Sequence, residues 1–251
     1  VVVDKLDSIS RPVDNESLIN SVAIISANND EALGGLIGSV VSTVGDNGMI
    51  SVEEATGLET SVEYTEGVNF DRGYITPTFS TNMEKLTCEL DNPYILLYDG
   101  RISATSDLMP ILEAVSEEGG QLLVVAQTVE NEALQTLVLN KARGALVSCA
   151  VRAPGFGDIR KDMLEDIAVV CGTTLFTSEL NTNLRELTLP DLGRARRVVV
   201  SRTSTSIIEG AGSQRDLDNR VEQVKAQLSQ NLETYEYASI KQRLSALSGA
   251  V

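Results

Sequence analysis

The side chains that could do chemistry in this sequence are carboxylates, lysines, tyrosines and three cysteines, because the chain contains no histidine. The absence of histidine excludes Ser-His-Asp and Cys-His catalysis and any imidazole metal site. Cys88, Cys149 and Cys171 form no C-x-x-C motif, so they indicate neither a zinc site nor a disulfide framework and fit a reducing compartment. The paired carboxylates Glu117-Glu118 and Glu165-Asp166 are predicted on helix surfaces, where solvated charge is more usual than acid–base catalysis.

One glycine-containing turn has the position of a phosphate-binding loop. Ala153-Pro154-Gly155-Phe156-Gly157-Asp158 follows a predicted strand and opens a predicted helix, but it has neither a third glycine nor a G-K-[ST] sequence. Asp158 would repel phosphate at the N-terminus of the helix that it is predicted to cap. We therefore interpret the segment as a tight turn and keep a phosphate- or nucleotide-using α/β enzyme as the alternative function.

The elements that must position these residues alternate between strand and helix from about residue 95. Apolar strands separated by amphipathic helices predict parallel strands covered by helices, that is, an α/β fold. Beyond 197–200 the chain changes character, and two apolar stripes, 217–228 and 240–247, predict a C-terminal helical hairpin. The predicted strands of the alternating region are 95–98, 122–126, 145–151 and 173–176, and its predicted helices are 108–115, 130–143 and 158–170.

The first 65 residues have a different character. Asn29-Asp30-Glu31 predicts a helix start, and apolar residues at helical spacing continue the helix to Val44. Glycines at 34, 35 and 38 within this helix indicate close packing, a hinge or simple tolerance. Short strands at 49–52 and 61–64 would complete a small α+β lobe.

Composition and charge limit the class of protein. With 36 acidic and 20 basic side chains the net charge is −16, which disfavours nucleic acid as a partner. The 42% hydrophobic content predicts a folded core, and the longest apolar runs are too short for a membrane helix. The chain begins without Met or a visible signal peptide, so we expect a piece of a longer protein, and Asn15-Glu16-Ser17 is interpreted as a chance glycosylation sequon.

The predicted helix from Glu130 has more apolar side chains than packing on a sheet requires. When the helix turns its Ala133 side toward the core, Leu134, Val138 and Leu139 are candidates for an exposed face. On the preceding helix Met109 lies at the edge of the core stripe. Exposed apolar residues mark interaction sites, and two such helices could form a groove for an extended or helical segment. The alternative is that all these residues belong to the core.

A loop or short extended segment is predicted at 71–79, because Gly73 and Pro77 disfavour a continuous helix. This segment would hold Tyr74 and Phe79 either at its surface or tucked inward.

Four segments together resemble the GroEL-type group I chaperonin family. They are Ile24-Ile25-Ser26-Ala27-Asn28, Asp71-Arg72-Gly73-Tyr74-Ile75-Thr76-Pro77, Glu132-Ala133-Leu134 with Leu137-Val138-Leu139-Asn140, and Ala153 to Asp158. The resemblance runs essentially without gaps along the chain. It implies that residues 1–65 are the end of an equatorial helix and the first part of the intermediate domain, and that residues 66–251 are the apical domain.

The resemblance also implies a function, namely a chaperone region that binds non-native polypeptide and the mobile loop of a co-chaperonin lid. The family assembles as a heptameric ring, uses ATP and Mg²⁺ in an equatorial domain that does not match this sequence, and occurs in bacterial cytosol, mitochondrial matrix and plastid stroma. We therefore expect no ATPase activity from these residues. The binding positions implied by the family are Tyr74, Thr76, Phe79, Met109, Leu112, Leu134, Val138 and Leu139.

Two residues depart from the family pattern. Thr78 stands where an aromatic residue is common, which would weaken or narrow polypeptide capture, and Ile159 replaces a basic residue. Leu112 is ambiguous, because its helical position also fits the core. A scaffold segment with buried apolar helices and no binding role is the third hypothesis, beside the chaperone and the enzyme.

Overall fold

The structure of the protein is a computed structural model that describes residues 15–44, 67–178, 183–228 and 234–248, with the single residues 5, 10, 13, 50, 60 and 62. The chain divides into two compact units, Val1–Glu63 and Tyr64–Gly249. The assignment of 1–65 and 66–251 to two chaperonin domains stays a prediction.

Two helices make up the described part of the first unit, α1 (Glu16–Ser26) and α2 (Glu31–Val44). The start of α2 agrees with the prediction, because Asp30 Oδ1 accepts hydrogen bonds from the backbone N–H groups of Ala32 and Leu33 at 3.0 and 2.9 Å. Helix α1 was not predicted. Its N-cap is Asn15, whose Oδ1 accepts a hydrogen bond from Leu18 N–H at 2.9 Å. The residue that suggested a glycosylation sequon therefore begins a helix.

Glycines allow α1 and α2 to pack closely. A Cβ on Gly34 would collide with the backbone of Ile24, and one on Gly38 would collide with the side chain of Asn20. Close packing is thus the reason for these two glycines, whereas a Cβ on Gly35 would meet nothing within 4 Å. The short strands predicted at 49–52 and 61–64 lie largely outside the described residues.

The second unit is built on a mixed sheet that has eight strands among the described residues. Strands β3, β4 and β5 are parallel neighbours, as predicted, and β6 also runs parallel to β3. The remaining pairs, β1 with β8, β8 with β7, β7 with β3 and β2 with β7, are antiparallel. The strands are β1 (Gly67–Phe70), β2 (Cys88–Asp91), β3 (Tyr94–Ile102), β4 (Gln121–Val129), β5 (Val147–Arg152), β6 (Phe176–Thr177), β7 (Gly193–Val200) and β8 (Thr205–Gly210).

Helices accompany this sheet, so the described fold is mixed α/β. Short 3₁₀ turns occur at Pro77–Phe79, Leu184–Glu186 and Leu189–Asp191. Two helices with mutual contacts stand where the C-terminal hairpin was predicted. The helices of this unit are α3 (Thr105–Glu117), α4 (Asn131–Ala142), α5 (Gly157–Cys171), α6 (Gln214–Leu228) and α7 (Thr234–Ser248).

Two local predictions were wrong. Asp158 does not cap α5, because Phe156 occupies the N-cap position and Asp158 lies in the first turn. The strand expected at 173–176 is reduced to Phe176–Thr177, since Thr173 N–H still donates to the carbonyl of Ala168 and completes the end of α5.

The core lies between the central parallel strands and the helices. The side chains of residues 95–97 and 122–126 are completely buried. Parallel strands require crossover connections, so β3, α3, β4, α4 and β5 follow one another across the sheet and bring α3 and α4 side by side.

Candidate functional site

Hydrogen bonds near both ends of the α3–α4 pair fix the spacing between the two helices. At one end the hydroxyls of Thr105 and Thr136 lie 2.8 Å apart. Thr136 Oγ1 also donates to the Glu132 carbonyl at 2.8 Å, so Thr105 supplies the proton between the two hydroxyls. At the other end Ser116 Oγ donates to the Ala145 carbonyl at 3.3 Å.

An open groove of about 440 Å³ lies between α3 and the C-terminal end of α4. The α3 side of the groove is one helical face, since its residues are spaced i, i+3, i+4, i+7 and i+8. The lining residues are Met109, Leu112, Glu113, Ser116 and Glu117 from α3, and Asn140, Ala145 and Leu146 from α4 and the segment after it.

The two groove residues that the sequence predicted differ in exposure. The Met109 side chain is 38% exposed, whereas that of Leu112 is 4% exposed. Leu112 is therefore part of the core and contributes only its edge to the groove. Met109 is free to contact a ligand.

Helix α4 has two different flanks, a polar one that faces α3 and an apolar one opposite to it. Thr136 and Asn140 face α3, and they lie about 300° and 340° round a helical wheel on which Ala133 is at zero. Leu134 and Val138 lie about 100° and 140° round the same wheel, on the opposite flank. Leu139 lies between the flanks, and its side chain is 51% exposed.

The second flank of α4 adjoins the segment around the 3₁₀ turn Pro77–Phe79. Lys141 lies on this flank and donates from Nζ to the carbonyls of Thr78 at 2.7 Å and Ser80 at 2.6 Å. Burial lowers the pKa of Lys141. Leu134 and Val138 are half-buried against the core on the same flank. This ammonium group therefore holds the turn beside the half-exposed aliphatic side chains.

The aromatic residues of the turn segment point inward. Phe79 is completely buried and Tyr74 is 9% exposed. Tyr74 also donates from its hydroxyl to the Leu86 carbonyl at 3.3 Å. Thr76 is half-buried and Thr78 is exposed, with their hydroxyls 3.1 Å apart. A ligand at this surface would therefore contact Thr76 and Thr78, whereas the rings of Tyr74 and Phe79 are buried in the core.

The predicted binding residues therefore do not share one groove. Met109 and Leu112 line it, and Leu139 lies between the two flanks of α4. Leu134, Val138 and Thr76 belong to the second flank, and Tyr74 and Phe79 are buried. Sequence reasoning missed Glu113, Ser116 and Glu117, although continuing the helical face that begins at Met109 would have found them.

The glycine turn before α5 does not fit a phosphate group. Asp158 lies in the first helical turn, where its carboxylate opposes an anion. Phe156 is 75% exposed, with the Arg72 guanidinium 5.5 Å from its ring centroid. Arg160 Nε is already engaged with Asp99 Oδ1 at 2.7 Å. Within the described ranges, no three Cys, Asp or Glu residues are grouped as a metal site would require.

No protein-family model matches the sequence. The chaperonin resemblance therefore depends on the four sequence segments named above. Among the described residues, no helix combines the length and apolar character of a membrane span.

Proposed function

We propose that this chain is part of a chaperone that binds exposed apolar segments of non-native polypeptide. The observation that carries the proposal is the surface around α4, where aliphatic side chains remain partly exposed although the core beneath them is filled. Unbranched and γ-branched apolar side chains such as Met109 and Leu139 adapt to ligands of varied shape. A groove with such a lining favours segments of many sequences over one defined ligand.

The strength of binding follows from the size of this surface. Burial of one apolar side chain stabilises a complex by about 1.5–3 kcal/mol, and association costs about 4–15 kcal/mol. Three or four such side chains therefore give weak binding to a single copy. Several copies presented to one unfolded chain would raise the avidity without any new contact.

The resemblance extends this proposal to a group I chaperonin. In that case residues 66–251 would be the apical domain and 1–65 part of the intermediate domain of a heptameric ring. The same surface would receive the mobile loop of a co-chaperonin lid. ATP and Mg²⁺ would act elsewhere in the assembly, and the compartment would be bacterial cytosol, mitochondrial matrix or plastid stroma.

The proposal is tested by titrating a fluorescently labelled leucine-rich peptide and measuring its anisotropy. Leu139→Glu and Val138→Glu each place a charge among the aliphatic residues, so we expect each to weaken binding by at least about tenfold, the cost of one lost apolar contact. Val22→Glu is the matched control, because Val22 is also an aliphatic helix residue, 50% exposed, but belongs to the first unit.

Unchanged affinity in folded Leu139→Glu and Val138→Glu variants would show that the site is wrongly assigned. A scaffold segment without a binding role predicts that the wild-type protein binds neither the peptide nor a hydrophobic dye. The enzyme alternative predicts thermal stabilisation by a nucleotide that Gly157→Asp abolishes.

A further inference from the structure

The groove between α3 and α4 has an acidic rim above an apolar floor. Met109, Leu112 and Leu146 provide the apolar lining, and Glu113 and Glu117 are exposed along one side. The two carboxylates are four residues apart on α3, so they lie about 6 Å apart along the helix axis. In the described part of the chain, none of the groove-lining residues is basic.

These two carboxylates are also uncompensated. Neither Glu113 nor Glu117 has a hydrogen bond or ion pair to its side chain among the residues that the structure describes. The third carboxylate of α3, Asp107, is different, since Arg185 Nη2 lies 3.0 Å from its Oδ1. Lys141, near the end of α4, is held by backbone carbonyls on the other flank. The negative charge of Glu113 and Glu117 therefore remains available to a ligand in the groove.

We propose that this groove selects polypeptide segments in which aliphatic residues are flanked by Lys or Arg. This inference rests on the proposed function and adds a charge preference to it. The aliphatic side chains of such a segment occupy the floor beside Met109. The apolar stem of a flanking Lys or Arg covers the groove wall, while its cationic end reaches Glu113 or Glu117. Segments flanked by Asp or Glu are repelled by the same rim and by the net charge of −16.

The preference is modest and depends on salt, because both carboxylates are exposed. Exposed ion pairs contribute little individually and are screened at high ionic strength. Two pairs acting together give a preference of roughly three- to tenfold at low salt. Burial of apolar side chains determines most of the affinity, and the acidic rim determines which apolar segments are preferred.

The test uses three labelled peptides with the same leucine-rich centre, flanked by Lys, Gln or Glu, and measures their anisotropy with the wild-type protein and with Glu113→Gln/Glu117→Gln. The matched control is Glu84→Gln/Asp158→Asn, which removes the same charge from exposed positions that do not line the groove. Titrations at about 0.05 M and about 0.5 M salt separate the electrostatic part of the binding.

We expect the wild type and the control to bind the Lys peptide about three- to tenfold more tightly than the Gln peptide at low salt, and the rim variant to lose this preference. Equal binding of all three peptides, or an unchanged preference in the rim variant, would overturn the charge selection and leave the proposed function intact. If folded wild-type protein binds none of the peptides, the proposed function fails and the charge selection fails with it.

Discussion

At the scale of single residues, Lys141 links the second flank of α4 to the segment around Pro77–Phe79. Its ammonium group satisfies the carbonyls of Thr78 and Ser80, and the Ser80 residue is 5% exposed. A buried acceptor that loses its donor keeps the cost of desolvation. Lys141, from a different element, thus adds to the buried Phe79 in holding the Thr76–Ser80 segment beside α4.

We predict that Lys141→Met lowers the free energy of unfolding by about 1–3 kcal/mol, because two carbonyls lose their charged donor. Urea denaturation followed by circular dichroism measures this change. Lys85→Met is the control, since Lys85 is exposed and its effect should stay within about 0.5 kcal/mol. Equal stability of the two variants would mean that the Lys141 contacts do not hold the turn.

Single residues also show where sequence reasoning reached its limit. Periodicity placed Ala133 and Leu137 in the core, and both are completely buried. Phe79 was left undecided because it lies in a predicted loop, and Leu112 was ambiguous because the resemblance implied a binding position whereas its helical position fitted the core. Lys141, which bonds to Thr78 and Ser80 over more than sixty positions, gave no local signal.

At the scale of elements, a buried charge cluster joins α5, α6 and α7. Arg243 on α7 is 2% exposed and contacts both carboxylate oxygens of Asp166 on α5, at 2.6 and 3.0 Å. Arg220 on α6 donates to Asp166 at 2.7 Å and to Glu165 at 3.1 Å. Asp162 accepts from Arg243 at 2.8 Å, and burial raises the pKa of Asp162. These charges tie the C-terminal helices to the sheet-packing helix.

We predict that Arg243→Met lowers the free energy of unfolding by about 3–5 kcal/mol, since it leaves Asp166 buried with a single cationic partner. Thermal and urea denaturation measure the loss. Arg215→Met on α6 serves as control, because Arg215 is exposed and surface substitutions change stability by about 0.5 kcal/mol or less. A loss as small as the control would show that apolar packing, rather than this cluster, holds α7.

Elements differ in how well they could be predicted. Strands β3, β4 and β5 were predicted because buried parallel strands are continuous apolar runs. The short strands β1, β2 and β8 were missed, since their partners are remote in sequence, as in the pairing of Gly67 with Ile208. Helix α1 was missed although Asn15 supplied an N-cap signal.

At the scale of the whole molecule, the net charge of −16 and the exposed apolar surface fit one another. A large net charge keeps a protein with an apolar groove soluble through mutual repulsion. Under the proposed function, the same charge would oppose nucleic acid and acidic segments and would favour apolar and basic segments as ligands. Composition alone could not predict the proposed preference for basic segments at the groove, because that proposal depends on Glu113 and Glu117 lining the same groove as Met109.

The central claim is that the surface around α4 binds non-native polypeptide, and hydrogen–deuterium exchange tests it most directly. The protein is labelled with and without an excess of a permanently unfolded, carboxymethylated protein, and its peptides are compared by mass spectrometry. We predict slower exchange in α3, α4 and the 76–80 segment, with α6 unchanged as the internal reference. Slower exchange confined to other elements, or no difference at any position, would contradict the claim.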